Sequence, residues 1–67
     1  MKVTIQHYNK DPKKTSDQAA KIVTDHGLSV ESAGPDKQTV EVANEAAAKS
    51  LIKELMPLVN VQLQTEA

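Results

Sequence analysis

The stretch His7–Ser16, HYNKDPKKTS, gathers the side chains of this chain best able to do chemistry. Lys10, Lys13 and Lys14 stand beside the start of a helix, whose free N–H groups attract anions, and Thr15 and Ser16 add hydroxyl donors. The chemistry this offers is phosphate or carboxylate binding. No glycine-rich cradle lets the backbone approach a phosphate, so the competing reading is a solvated polar loop in which Thr15 only caps the helix. His7 and Tyr8 do not form an acid–base pair, because consecutive strand residues face opposite sides of a sheet. His7 reads as a structural residue at the core edge and Tyr8 as exposed. Asp17, Asp25, Asp36 and the glutamates are scattered, and no close carboxylate pair supports acid–base catalysis. No residue set specifies a reaction, a metal or a cofactor, and the chain reads as non-enzymatic.

The elements that position these residues follow from periodicity. Lys2–Tyr8 alternates, with Val3, Ile5 and His7 on one face, as a first strand. Asn9–Lys14 is a polar break around Asp11-Pro12, and is expected to be the most mobile internal segment because nothing apolar anchors it. Thr15-x-x-Gln18 resembles a capping box, which starts the first helix near Ser16. Asp11 as cap with Pro12 at the first helical position is the competing start. Ala19, Ile22, Val23 and His26 then recur at helical spacing, and Gly27 suits the residue after the helix. Leu28–Ala33 reads as a second strand with Leu28 and Val30 inward, and Gly34-Pro35-Asp36-Lys37 as a hairpin turn.

Thr39–Leu63 carries the clearest pattern. Val40 and Val42 alternate with polar neighbours as a third strand. Asn44 offers an N-cap oxygen, and Glu45 suits the positively polarised first turn. Ala47, Ala48, Leu51, Ile52 and Leu55 line one helical stripe, which Pro57 ends. Val59, Val61 and Leu63 resume alternation as a fourth strand. Ala19-Ala20-Lys21 and Ala47-Ala48-Lys49 occupy equivalent places, so the two halves echo each other.

Composition narrows the class of protein. Sixty-seven residues, none of them cysteine, make a single domain (1–67) with neither disulfide nor thiolate metal site. Stability is expected to be on the order of 3–5 kcal/mol unless another subunit adds buried area. Eight lysines, no arginine and nine acidic residues leave a formal charge of −1, which argues against a general nucleic-acid binder. No apolar run approaches a membrane span, and Lys2 leads into no signal-like apolar core, so a cytoplasmic location is expected.

The order β-α-β-β-α-β with right-handed crossovers predicts an α+β two-layer sandwich of ferredoxin-like type. In it two helices cover one face of a four-stranded antiparallel sheet of order 4-1-3-2. The first loop, the hairpin and the Pro57 turn then share one end, and His26 lies at the other, so the histidines do not converge on a metal. The outer sheet face would show one tyrosine and no basic stacking platform, unlike an RNA-binding sheet. In outline this order resembles heavy-metal-associated domains, which place a CxxC where this chain has Lys13-Lys14-Thr15-Ser16. Without cysteine, metal transfer is not carried over. The order also resembles propeptide-like inhibitors of subtilisin-type proteases, which act through an extended tail after the last strand. Val59–Ala67 takes that place, and the resemblance implies protease inhibition as a third function.

The first expectation is a small protein-interaction module. Between Glu54 and Glu66 no residue is charged, and the fourth strand is an edge in this topology. Natural edges are usually blunted by Lys, Pro or a bulge, and nothing after Pro57 does so. Asn60, Gln62 and Gln64 are the expected contact residues, pairing with a partner strand or, across a two-fold, with a second copy. In the competing reading Thr65–Ala67 covers that edge. The alternative function is a regulatory domain for a small ligand or anion, held by Lys10, Lys13, Lys14, Thr15 and Ser16.

Overall fold

Alternation decides the centre of the fold. Val3, Ile5 and His7 share one face of the first strand, β1 (Lys2–His7), and each is at most 1% exposed. The computed structural model describes residues 1–66. After β1 come α1 (Pro12–Asp25), β2 (Val30–Gly34), β3 (Lys37–Glu41), α2 (Glu45–Leu55) and β4 (Val61–Glu66). The strands form one sheet in the order β2-β3-β1-β4, with every neighbouring pair antiparallel. This is the expected order read from the opposite edge, and the sequence of elements fits the ferredoxin-like pattern.

Both helices bury their stripes against the same sheet face. Val3, Ile5, Val40 and Val42 from the sheet side, Ala19 and Val23 from α1, and Ala48, Leu51 and Leu55 from α2 make one buried cluster. Burying each Val, Leu or Ile contributes about 1.5–3 kcal/mol. Helix α2 begins as its sequence predicts, with the Asn44 side chain accepting from the Ala47 N–H at 2.9 Å.

Four local expectations are corrected. Helix α1 starts at Pro12 rather than near Ser16, with Asp11 as N-cap. Pro12 already has the φ a helix needs, and Thr15 turns its hydroxyl inward instead of capping. The polar break therefore ends at Asp11, and Lys13 and Lys14 are helical. Strand β2 starts at Val30, because α1 ends in a Schellman closure that captures Leu28. Gly27, at φ +74°, donates to the Thr24 carbonyl at 2.9 Å and Leu28 to that of Val23 at 3.1 Å. Leu28 still packs on the core, but from the helix end.

Strand β4 begins at Val61, and Val59 is 68% exposed instead of inward. Asn60 adopts φ +56°, a left-handed conformation that asparagine tolerates better than most residues, and swings the preceding valine out of register. Last, Thr65 and Glu66 belong to β4 and pair with Val3 and Lys2. They neither cover its edge nor form an extended inhibitor-like tail, and Ala67 lies outside the described residues.

Candidate functional site

The end of the sheet where β1 leaves for α1 is held by a polar cluster around His7. The Gln38 amide donates through Nε2 to the Ser16 carbonyl at 3.2 Å, so its Oε1 faces His7 Nε2 at 2.8 Å. That arrangement makes His7 Nε2 the donor and turns Nδ1 to the Thr15 hydroxyl, also at 2.8 Å. Thr15 Oγ1 in addition accepts from Asn9 Nδ2 at 3.1 Å and lies 3.2 Å from the Pro12 carbonyl. Asn9 Nδ2 reaches the Val59 carbonyl at 3.0 Å, and Asn60 Nδ2 donates to Asn9 Oδ1 at 3.2 Å. Side chains of β1, α1 and β3 are thereby tied to the turn before β4. Asn9 anchors the loop that its composition marks as free.

Beside this cluster, a groove of about 510 Å³ separates the first turns of α1 from the turn after α2. Ile22, Pro57, Leu58 and Val59 supply its apolar lining. Lys10 and Lys14 share its rim with Asp11 and Glu54. The size falls within the usual range of ligand sites. The charges at its rim oppose one another, and no single sign dominates.

The second feature is the outer edge of β4. The Tyr8 N–H donates to the Asn60 carbonyl at 2.8 Å, and the β1–β4 register continues with Gln6 opposite Gln62 and Thr4 opposite Gln64. In an antiparallel ladder, hydrogen-bonded and non-hydrogen-bonded pairs alternate. The even residues of β4 therefore spend their N–H and C=O groups on β1. Val61, Leu63 and Thr65 turn theirs outward. Independent bonds agree: the odd residues of β1 serve β3, as the His7 N–H does at 2.8 Å to the Asp36 carbonyl. Among the described residues β4 pairs with β1 alone.

The sheet's other edge is different. Strand β2 carries Glu31 and an irregularity between Ser32 and Gly34, and runs into Pro35. Bulge, charge and proline are the devices that keep an edge from pairing. Strand β4 has none of them before Glu66. The two glutamines on its outer face, Gln62 and Gln64, are exposed, and Tyr8 donates to Gln62 Oε1 at 2.8 Å.

The residues singled out in the sequence divide accordingly. Lys10 and Lys14 reach the groove; Lys13 is exposed on α1 without lining it. Thr15 is buried with its hydroxyl engaged inward, and Ser16 contributes its carbonyl to Gln38. Gln62 and Gln64 lie on the outer face of β4 as expected, whereas Asn60 is in the turn and bonds Asn9. Gln38 and Asn9 escaped the sequence reading, since an amide in a strand or a loop carries no periodic signal. Among the described residues, no group of three or more His, Cys, Asp or Glu is placed to hold a metal ion. No helix among them is long and apolar enough to cross a membrane. No family model matches this chain, and neither a curated protein nor a solved structure matches it significantly.

Proposed function

We propose that this chain is a small non-enzymatic protein-contact module that engages another polypeptide strand along the outer edge of β4. The observation that carries the reading is the contrast between its two sheet edges. One is bulged, charged and closed by Pro35, and the other keeps an unbroken register with β1, is uncharged up to Glu66 and has the N–H and C=O groups of three residues turned outward. An edge of that kind is a template for strand addition, in which backbone hydrogen bonds supply affinity and alternate side chains supply selectivity. The anion reading is weaker on geometric grounds. One of its five residues, Thr15, has its hydroxyl engaged inside the protein, Lys13 does not line the groove, and the two lysines that do are opposed by Asp11 and Glu54.

Amide hydrogen exchange tests the reading directly. The Val61, Leu63 and Thr65 amides should exchange quickly in dilute buffer, and more slowly either in concentrated solution or in a native extract. The even-numbered β4 amides, already bonded to β1, serve as the internal control. Equal exchange of the odd amides under all three conditions means the edge is idle, and the proposal fails.

A further inference from the structure

Resting on the contact reading, we infer that the strand received by β4 is β4 of a second copy, paired antiparallel across a two-fold axis through Leu63. The register follows from which peptide units are free. Outward-facing units belong to odd residues only, so a partner β4 must set odd residues opposite odd ones. A shift by one residue would direct the partner's hydrogen bonds at units already committed to β1. Of the permitted registers, the one centred on Leu63 uses every outward unit of the strand. Val61 then meets Thr65 of the second copy, Leu63 meets its own equivalent, and Thr65 meets Val61, each pair exchanging both N–H···O bonds.

Charge and burial agree with this occupant. In an isologous contact each residue near the axis meets its own kind or a near neighbour, so a charge there repels its copy. No charged residue lies between Glu54 and Glu66, and this register sets Glu66 opposite Asn60 rather than another carboxylate. Val61 and Leu63 sit on the helix-side face, half-buried at the rim of the core. Pairing places Leu63 against its equivalent and covers apolar surface that the single chain leaves partly wet. On the opposite face Gln62 meets Gln64 of the second copy, at both symmetry-related positions, where two amides can bond each other. The two sheets become one continuous sheet with all helices on one side.

The pairing of position 62 with position 64 provides a specific test. In the doubly substituted Gln62→Lys/Gln64→Lys chain, lysine faces lysine at two symmetric places. In Gln62→Lys/Gln64→Glu, the same register sets lysine against glutamate twice. Both side chains are exposed, so both variants should fold as the parent does, which circular dichroism and amide spectra verify. Sedimentation equilibrium over a wide range of concentrations should find a dimer for the parent. The dissociation constant should rise about tenfold or more for the Lys/Lys chain, and return to the parent value or below for Lys/Glu. A monomeric parent overturns the self-pairing. So does a dimer that both variants leave unchanged, which would lie elsewhere, or one that both variants weaken equally, which would use another register. If the parent is monomeric yet its odd β4 amides are protected in a native extract, the occupant is a foreign strand. The contact reading then survives without this inference.

Discussion

Thr15 shows how one side chain can be read correctly as a hydrogen-bonding group and still be given the wrong partner. Its spacing from Gln18 suggests a cap, but its hydroxyl sits 2.8 Å from His7 Nδ1 and accepts from Asn9, inside the protein. A cap reaches along its own helix, and short-range spacing can announce it. A bond from α1 to a strand eight residues back depends on how the helix is laid on the sheet, which spacing does not encode. The inward position has an energetic consequence. In Thr15→Val the shape is kept while His7 Nδ1 and Asn9 Nδ2 each lose a buried partner, so unfolding free energy should fall by about 1–3 kcal/mol. Thr15→Ser should keep most of it. Urea titration distinguishes these outcomes, and equal stability of the valine and serine variants would mean the cluster contributes nothing net.

At the scale of the element, what was legible is what repeats. Period-2 alternation placed Val3, Ile5, Val40 and Val42 in the core, and helical spacing placed Ala19, Val23, Ala48, Leu51 and Leu55 there, all as found. The misjudged residues are at element ends, where geometry overrides pattern. Leu28 keeps the alternation of a strand but is captured by the closure of α1, and Val59 keeps it but is turned out by Asn60. The two helix starts make a matched comparison. Asn44 accepts from the Ala47 N–H, whereas the Asp11 side chain makes no capping bond. Asn44→Ala should therefore cost about 1 kcal/mol. Asp11→Ala should lose only the few tenths expected from a carboxylate near a helix N-terminus. A larger loss at Asp11 than at Asn44, measured by denaturant unfolding, would show that Asp11 holds the start of α1 more firmly than its missing capping bond implies.

For the whole molecule, the limiting fact is size. The fold was legible because two strand–helix–strand units of matching pattern leave few ways to bury their aliphatics on one face. The free peptide units of the β4 edge were not legible to the same degree, because they are the ones left over after the sheet has formed. The same accounting links assembly to stability. A core of nine buried apolar residues among the described residues of a 67-residue chain suits a stability of only about 3–5 kcal/mol. Any contact made by the folded chain and not by the unfolded one adds to that by mass action, and makes the thermal midpoint depend on protein concentration. If β4 pairs with its own copy, the parent midpoint should climb as concentration is raised. The Gln62→Lys/Gln64→Lys midpoint should stay flat at a value close to the dilute parent. Scanning calorimetry at several concentrations reads this without any probe on the strand itself. A parent midpoint that does not move would show that the folded chain gains nothing from its own kind, and that it stands on its single core alone.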